Sequence, residues 1–158
     1  MGISVRKAVP GDAGRLVEML CKIAEYHRQG RPDIFAPGSS KYDVPAVRKK
    51  IEGGSEIIIV AADEEDRPVG YAMAVVKIPD APHLVKRKVF YLDDLFVDDG
   101  YRRTGVGRLL MDACEKECED LDCDSFELNV WRFPGDACGF YENAGFTVQR
   151  MIMERRRK

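Results

Sequence analysis

The pattern of apolar and polar positions predicts alternating strands and helices along the chain. The opening stretch "ISVRKAV" alternates with the two-residue period of a strand, and Pro10-Gly11-Asp12 then breaks the alternation. Asp12 is a good helix N-cap, and apolar positions from Leu16 to Ala24 recur at helical spacing. We therefore predict a first strand, followed by a helix that ends near Gly30.

A loop and a second helix are predicted next, before the pattern changes to strands. "RPDIFAPGSS" contains prolines and a glycine that oppose regular structure, whereas Asp43 caps the helix "VPAVRKKIE", which Gly53-Gly54 ends. "SEIIIVAA" and "VGYAMAVVKI" are rich in Ile, Val and Tyr, as strands are. The polar turn "DEEDRP" between them predicts an antiparallel hairpin.

The second half of the chain continues the alternation. "RKVFYLDDLFV" has the pattern of a long strand, a helix is predicted from near Thr104 to about Leu121, and "SFELNVW" is predicted to be a buried strand. A short helix in "PGDACGFYENA" and a last strand, "FTVQRMIME", complete the order β-α-α-β-β-β-α-β-α-β. That order predicts an α/β fold with a mixed sheet and helices on both faces.

Length and composition limit the possible functions. The chain has 158 residues and is 45% hydrophobic, which is enough for the core of one domain spanning residues 1–158. Its 25 Lys and Arg residues nearly balance 27 Asp and Glu residues, so no general nucleic-acid-binding or membrane-binding surface is expected. No stretch is apolar enough to span a bilayer and the N-terminus lacks the apolar core of a signal peptide, which predicts a cytoplasmic protein.

The five cysteines are odd in number and follow no disulfide framework, which predicts reduced thiols. Cys114 and Cys118 lie one turn apart on the predicted helix, so a zinc site that also uses Cys123 is one hypothesis. The same cysteines continue an apolar helix face with Leu110 and Leu121, where a thiol packs as a small hydrophobic group. We favour this packing and predict no bound metal.

The turn from Arg102 to Arg108 lies between a predicted strand and a predicted helix, and it has the composition of an anion site. Gly105 and Gly107 allow a ligand to approach the backbone, and the first N–H groups of a helix are unpaired. The helix dipole and the arginines add positive charge, so this turn is predicted to bind a phosphate group.

Two other phosphate-binding arrangements fit this turn less well. A Walker loop requires Lys-Ser or Lys-Thr after its last glycine, whereas Arg108-Leu109 follow Gly107 here. A dinucleotide-binding G-x-G-x-x-G motif starts at Gly105 but has Leu110 at its third glycine position. A tight turn with a solvated arginine edge would explain the glycines, although less readily their combination with the arginines.

The turn resembles the pyrophosphate loop of the GNAT family of N-acyltransferases, whose pattern is Arg or Gln, two residues, Gly, any residue, and Gly or Ala. Arg102, Gly105 and Gly107 match this pattern completely. "YLDDLFVDDGYRR" also resembles the fourth strand of that family, and "ACGFYENAGF" resembles its signature helix. The order of elements agrees along nearly the whole chain, so the resemblance implies the GNAT fold and acetyl-CoA as cosubstrate.

The resemblance also implies roles for two segments. In the family the pantetheine arm of the cofactor runs beside the fourth strand, where a bulge turns an N–H group toward the thioester carbonyl. Its backbone partners here would be Leu95, Phe96 and Val97. The pyrophosphate would be held by Arg102, Arg103, Thr104, Gly105, Val106, Gly107 and Arg108.

Tyr141 matches the family tyrosine that protonates the departing thiolate of coenzyme A, a role that suits a phenol because it stays neutral at working pH. The alternative is a core aromatic residue beside Phe140. The sequence departs from the family at Pro134, where similar proteins often have an Asn that contacts pantetheine. Either that contact is lost or a neighbour such as Asp136 supplies it.

Asp93 and Asp94 form an acidic pair within the predicted fourth strand. Neighbouring residues of a regular strand point to opposite faces, so at most one of the two is expected to face the acceptor. Similar proteins that act on polyamines have an acidic pair here, and its first position is usually assigned the proton-accepting role, which favours Asp93. An ordinary ion pair with a basic neighbour is the alternative.

Residues 25–40 resemble the part of the family that shapes the acceptor site, and such loops vary with substrate. Acceptor contacts are expected from Tyr26, Phe35 and Asp94. The predicted reaction transfers an acetyl group from acetyl-CoA to the primary amine of a small cationic molecule, with Tyr141 as general acid and Asp93 as base. A polyamine, an amino acid, an aminoglycoside-like compound and a protein amine all remain open.

Two further expectations concern catalysis and assembly. Because a fold does not establish turnover, a non-catalytic acyl-CoA-binding or regulatory module is an alternative function. A protein N-terminal or lysine acetyltransferase and a nucleotide-binding protein of another kind are further alternatives. A homodimer is expected, because similar proteins often pair through their late strands and "FTVQRMIME" is apolar beside a sheet edge.

Overall fold

The computed structural model describes residues 2–38 and 40–157, so Ser39 of the predicted acceptor loop lies outside the described residues. The strands are β1 (Ser4–Lys7), β2 (Ile57–Ala62), β3 (Pro68–Lys77), β4 (Val89–Val97) and β5 (Ser125–Leu128). The α-helices are α1 (Ala13–Gly30), α2 (Val44–Gly53), α3 (Val106–Asp120) and α4 (Cys138–Asn143). The predicted order is confirmed as far as α4.

The five strands form one mixed sheet in the order β1-β2-β3-β4-β5. The first four are antiparallel to their neighbours, and β5 is parallel to β4. The parallel pair requires a crossover connection, which α3 provides. The predicted α/β fold with a mixed sheet is therefore confirmed.

Helices pack on both faces of the sheet, each over its own core. On one face Leu16 of α1 and Val47 of α2 pack with Tyr71 of β3. On the other face Leu110 and Cys114 of α3 pack against the strands. Each fully buried Leu or Val side chain contributes roughly 1.5–3 kcal/mol, so these two cores hold the helices in fixed positions over the sheet.

The two predicted helix caps have different outcomes. Asp43 accepts a hydrogen bond from the Ala46 backbone N–H at 2.9 Å and caps α2 as predicted. Asp12 occupies the N-cap position of α1 as predicted, but its side chain makes no capping hydrogen bond to that helix. Its carboxylate instead accepts from the Val9 backbone N–H and pairs with Arg6, both at 2.8 Å, because a short 3-10 turn precedes the helix.

Cys114 and Cys118 are buried in the α3 core, which confirms the apolar face predicted for them. Burial raises the pKa of Cys114 to about 12 and that of Cys118 to about 11, so both thiols are protonated near neutral pH. Within residues 2–38 and 40–157, the structure has no group of three His, Cys, Asp or Glu residues arranged for a metal ion. Those residues also include no helix that is long and apolar enough to cross a membrane.

The predicted last strand, "FTVQRMIME", is wrong. Residues 146–157 have no regular secondary structure, although the segment has the apolar pattern of a strand. A strand pairs its backbone N–H and C=O groups with a neighbour, but this segment does not pair with β5, which remains the edge of the sheet. The segment is tied instead to the loop after α1 by the Arg31–Glu154 ion pair, at 2.8 Å. Its exposed apolar side chains are Val148, Met151, Ile152 and Met153.

Candidate active site

The candidate active site is a cleft where β4 and β5 separate. The two strands are paired as far as Leu92 and Leu128, so the strand predicted in "SFELNVW" ends early. Beyond that pair β5 has ended while β4 continues, and a cleft of about 980 Å³ lies between the second half of β4, the turn before α3 and the segment before α4. Clefts of this size commonly hold cofactors and small molecules.

A bulge interrupts β4 at the beginning of this cleft. Met73 on β3 lies opposite Asp94 and Ala74 lies opposite Leu92, so Asp93 is an extra residue without a partner on β3. The resemblance implied a bulge in this strand, and the structure contains one. Because a bulge adds one residue to only one of two paired strands, it changes the face to which the neighbouring side chains point.

Nearly all the residues singled out in the sequence line this cleft. The set comprises Tyr26, Phe35, Asp93, Asp94, Leu95, Phe96, Val97, Arg102, Arg103, Gly105, Gly107, Arg108 and Tyr141. Thr104 and Val106 are not lining residues: the Thr104 hydroxyl donates to the backbone carbonyl of Tyr101, and Val106 is buried in the α3 core. Any contact of Val106 with a ligand therefore comes from its backbone.

The N-terminus of α3 lies at one end of the cleft. Gly105 occupies the N-cap position with φ of 93°, a left-handed conformation that glycine adopts without strain. It provides no side-chain cap, so the first N–H groups of the helix are left to a ligand. Arg102 lies over the Phe96 ring and donates to the Val97 carbonyl at 3.1 Å. The helix dipole and the arginine charge together favour an anion.

Gly107 brings α4 against the first turn of α3. A Cβ atom at this position would lie 3.3 Å from the ring of Phe140, which is tighter than ordinary packing. The close contact positions α4 so that its next residue, Tyr141, lines the cleft. The second glycine of the turn therefore serves helix packing as well as access to the backbone.

Tyr141 has one side in the core and one in the cleft. Its ring packs against the α3 core and lies edge-on to Phe146, and it also lines the cleft. Burial raises the pKa of the phenol, and the negative charge of Asp94 raises it further. The hydroxyl is therefore protonated at neutral pH and can act as a proton donor. The alternative role of Tyr141, as an aromatic residue of the core, applies to the other side of its ring.

The prediction that at most one of Asp93 and Asp94 faces the acceptor side is wrong. The Lys41 ammonium nitrogen lies 2.6 Å from Asp93 Oδ2 and 3.3 Å from Asp94 Oδ2. Both carboxylates reach one cation because the bulge interrupts the regular alternation of the strand. The alternative of an ion pair with a basic residue is thus observed, with Lys41 of the loop between α1 and α2.

The two carboxylates lie in different environments. The Asp94 side chain is 10% exposed and the Asp93 side chain is 35% exposed. Burial raises the pKa of Asp94, and the positive charge of Lys41 only partly opposes this effect. Burial acts to lower the pKa of Lys41, but its hydrogen bond to Asp93 and the two negative charges raise it overall. The pair thus stabilises a primary ammonium ion in the cleft.

Aromatic side chains form a second side of the acceptor end, which we call the aromatic wall. Its members are Tyr26, His27, Phe35, Trp131 and Phe133. The His27 and Phe35 rings stack with centroids 5.2 Å apart, and Trp131 meets Phe35 edge-on at 5.1 Å. Burial lowers the pKa of His27, and the Lys41 charge lowers it further. His27 is therefore uncharged at neutral pH and does not offset the negative charge of Asp93 and Asp94.

Gly30 allows the aromatic wall to form. A Cβ atom at this position would lie only 2.5 Å from the Phe133 ring, so no larger residue fits without moving that ring. The contact places the end of α1 against the segment that follows β5. Tyr26 strengthens it, since its ring packs on Phe133 and its hydroxyl donates to the Gly135 carbonyl.

Asp136 is not placed to replace the Asn that is missing at Pro134. Its carboxylate accepts hydrogen bonds from two backbone N–H groups, both at 3.0 Å, and it does not line the cleft. The side-chain amides that do line the cleft are those of Asn129 and Asn143. Asn129 donates to the Tyr91 hydroxyl at 2.8 Å.

Sequence reasoning missed several residues of the cleft. Lys41, His27 and Trp131 lie in segments that were predicted to be a loop, a helix end and a strand, without any chemical motif. No local signal marks them, because each enters the cleft through a contact with a distant part of the chain. The acidic pair gave an indirect signal for Lys41 alone, since two adjacent carboxylates need a cation.

Residues 18–146 match the Acetyltransferase (GNAT) family. The chain belongs to this family. Among solved structures, a mutant of the BH1408 protein from Bacillus halodurans has a TM-score of 0.90 and 27% identity, over 97% of this chain and 98% of that chain. The strand separation and the glycine turn therefore lie within a known acetyltransferase fold.

Two curated relatives have named activities. L-ornithine N5-acetyltransferase NATA1 from Arabidopsis thaliana is 34% identical over 74 residues, which cover 47% of this chain and 32% of that protein. Peptidyl-lysine N-acetyltransferase YjaB from Escherichia coli K12 is 30% identical over 89 residues, which cover 56% of this chain and 48% of that protein. The chain thus aligns with less than half the length of either relative.

Proposed function

We propose that the protein is an N-acetyltransferase that moves an acetyl group from acetyl-CoA to the primary amine of a cationic acceptor. The observation that carries this proposal is the pairing of a primary ammonium ion, that of Lys41, with Asp93 and Asp94 in the cleft. It supports an acceptor that presents the same group. Family membership supports acetyl-CoA as the cosubstrate.

The cofactor is proposed to lie along the free edge of β4. Beyond Leu92 no strand formed by the described residues pairs with β4 on its β5 side, so the backbone groups of Leu95, Phe96 and Val97 that point to that side are proposed to bind an amide-containing pantetheine arm, apart from the Val97 carbonyl, which accepts from Arg102. The pyrophosphate is proposed to bind at the turn from Arg102 to Arg108, where unpaired N–H groups and arginine charge lie together. Acetyl-CoA would supply the activated thioester.

The proposed chemistry uses three side chains. Asp93 accepts a proton from the acceptor ammonium, directly or through water, and Asp94 shares this role because burial raises its pKa. The neutral amine then attacks the thioester carbon, and a backbone N–H group at the bulge stabilises the developing oxyanion. Tyr141 donates its proton to the departing sulfur, as a neutral phenol can, and the second proton of the amine nitrogen then restores the phenol, directly or through water.

The acceptor is proposed to be a primary alkylamine on a short aliphatic chain, as in an amino acid or a polyamine. The names of the two relatives specify ornithine N5 and peptidyl-lysine, which are both such amines. The aromatic wall suits the aliphatic part and the cation of such a molecule. Peptidyl-lysine is a second candidate, which the position of the Lys41 side chain in the cleft favours.

We further propose a cytoplasmic homodimer without a nucleic-acid or membrane partner. The segment after α4 carries apolar side chains on its surface, and Ile152 is 95% exposed. β5 is an open edge of the sheet. A second copy would cover both features, since exposed apolar segments and open strand edges favour association.

Release of free thiol from acetyl-CoA, measured with a panel of amines, tests the proposed reaction. We expect ornithine, lysine and diamines to yield an acetylated amine and one thiol per product, while neutral and anionic acceptors yield neither. A lysine-containing peptide in the same panel tests the second candidate. Binding of acetyl-CoA without thiol release for any amine would support the non-catalytic acyl-CoA-binding module instead.

A further inference from the structure

Lys41 occupies the position that the proposed reaction assigns to the acceptor amine. Its ammonium nitrogen contacts both Asp93 and Asp94, and the side chain lines the same cleft as Tyr141. We propose that Lys41 is an internal acceptor, so that the protein acetylates its own Lys41 when no other amine is bound. This inference rests on the proposed function and adds a modification site to it.

Lys41 is distinguished from other lysines by its surroundings rather than by its exposure. Among the described residues it is the sole lysine that lines the cleft, although its side chain is 44% exposed. Lys22 on α1 is 47% exposed and pairs with Asp98 at 2.5 Å, outside the cleft lining. Lys22 is therefore a matched internal control that has equal access to solvent and reagent but no access to the cleft.

The loop between α1 and α2 can deliver Lys41 without a large change in the fold. Both ends of this loop are fixed by helices that pack on one core, and the aromatic wall holds Phe35 within it. The Lys41 side chain donates a hydrogen bond to Asp93 of β4, which lies 52 positions further along the chain. A lysine that is held beside the reacting groups of its own chain has a high effective concentration relative to a free amine.

The step is a simple acyl transfer within one chain. The Lys41 ammonium gives one proton to Asp93, and its nitrogen lone pair then forms a bond to the thioester carbon. The carbon–sulfur bond breaks, and the departing thiolate takes a proton from Tyr141. The second proton of the Lys41 nitrogen then passes to the Tyr141 phenolate, directly or through water, and Asp93 releases its proton to solvent. The products are an amide at Lys41 and free coenzyme A, so no further reactant is required.

Acetylation would change the electrostatics of the acceptor end. The amide is neutral and no longer satisfies the two carboxylates, which leaves Asp93 and Asp94 to an incoming cation. Before reaction, the same two carboxylates raise the pKa of Lys41, so its free base is scarce at neutral pH. The charged and titratable groups around it are Asp93, Asp94, His27, Tyr91 and Tyr42, whose ring centroid lies 5.8 Å from the Lys41 ammonium nitrogen. The self-reaction should therefore be slow at neutral pH and faster at alkaline pH.

Incubation of the protein with acetyl-CoA alone, followed by peptide mass mapping, tests this inference. We expect acetylation of Lys41 at a rate at least about tenfold above that of Lys22, given the effect of proximity. The rate should not depend on protein concentration, since the acceptor and the site belong to one chain. Tyr141→Phe should slow acetylation of Lys41 and leave that of Lys22 unchanged.

Several outcomes would overturn the inference. These are equal rates at Lys41 and Lys22, an equal Lys41 rate in Tyr141→Phe, or a rate that rises in proportion to protein concentration. Thiol release with external amines and no acetylation of Lys41 would refute the inference while the proposed function stood. Neither reaction, despite binding of acetyl-CoA, would refute both.

Discussion

Asp93 is the residue of β4 without a partner on β3, and its position explains why two adjacent carboxylates contact one ammonium ion. In a regular strand Asp93 and Asp94 would point to opposite faces. The extra residue brings both to the side that carries Lys41. The chemistry of the acceptor end therefore depends on a backbone irregularity as well as on the two acids.

The proton donor can be tested by Tyr141→Phe, which keeps the ring and removes the hydroxyl. We expect turnover to fall by roughly 10- to 10⁴-fold with little change in acetyl-CoA affinity, because the departing thiolate loses its acid. Steady-state kinetics and binding measurements check both quantities. Tyr42→Phe is the control, since Tyr42 packs against the α1 and α2 core and does not line the cleft. Unchanged turnover across the pH range would remove Tyr141 from the mechanism.

The acidic pair predicts a pH dependence of turnover. An alkylamine has a pKa of about 10.4, so at neutral pH nearly all of it is protonated and needs a base. Asp93→Asn should depress turnover most at low pH and least near pH ~10, where free amine is plentiful. Asp94→Asn should act in the same direction, because both carboxylates contact the Lys41 ammonium.

The control for these variants is Asp120→Asn at the end of α3, which pairs with Lys116 away from the cleft. It should keep the pH profile of the parent protein. If Asp93→Asn and Asp94→Asn also keep that profile, neither carboxylate accepts the proton. The acetyl-CoA assignment would be unaffected by that result.

Tyr71 allows a prediction about stability that does not depend on catalysis. Its side chain is fully buried, and its hydroxyl has no hydrogen-bond partner within the described part of the chain. A buried unpaired hydroxyl costs about 1–3 kcal/mol, so Tyr71→Phe should leave the free energy of unfolding unchanged or raise it. Denaturant unfolding measures the change, and a loss of more than about 1 kcal/mol would mean that the hydroxyl is hydrogen-bonded in solution.

At the scale of elements, the separation of β4 from β5 and the N-terminus of α3 create the two ends of the cleft. β5 stops pairing at Leu128, which frees the edge of β4 where a pantetheine arm can bind. Gly105 leaves the start of α3 without a side-chain cap, and Gly107 brings α4 close enough for Tyr141 to line the cleft. We thus propose that acetyl-CoA binds at the end of β4 and the N-terminus of α3, where backbone hydrogen-bonding groups are available.

The turn before α3 predicts how acetyl-CoA changes thermal stability. A ligand that binds the folded state alone raises the melting temperature by mass action, so acetyl-CoA should do so. Replacing Arg102 and Arg103 with Ala should weaken this rise, because two positive charges near the pyrophosphate are lost. Arg48→Ala with Lys49→Ala, on an exposed part of α2 outside the cleft, is the matched control. An unchanged response of the Arg102 and Arg103 double variant would show that the phosphates bind elsewhere.

In the whole molecule, the sheet has a hydrophobic core on each face. The segment after α4 does not join this sheet as a strand. Arg31 and Glu154 hold its end near the loop after α1, while its apolar residues face outward. Such a surface is costly for an isolated chain in water. It is the feature from which we propose a second copy as partner.

Light scattering at micromolar concentration should give twice the chain mass of 17.8 kDa. Ile152→Asp should shift the protein toward the monomer, since a charge would enter the proposed contact. Val85→Asp is the control, because Val85 is also highly exposed, at 83%, but lies in the loop between β3 and β4. A single 17.8 kDa species for the parent protein would reject the dimer.

Most strands and helices, and the turn that resembles a pyrophosphate loop, could be predicted from the sequence. These features depend on periodicity, caps and glycines within short windows, so they can be predicted locally. The α/β fold and the apolar face with Cys114 and Cys118 were predicted from the same local patterns. The turn from Arg102 to Arg108 and Tyr141 were recognised by their motif, and the structure places both beside one cleft.

Tertiary structure alone decided the direction of the acidic pair, the position of Lys41 and the absence of the last strand. A bulge is a mismatch between two strands, so Asp93 and Asp94 could not be assigned a face without the register of β3. Lys41 reaches them across 52 positions, a contact that no local pattern encodes. "FTVQRMIME" has the composition of a strand, but a strand exists only where its backbone pairs with another, and residues 146–157 pair with no strand although the β5 edge is open.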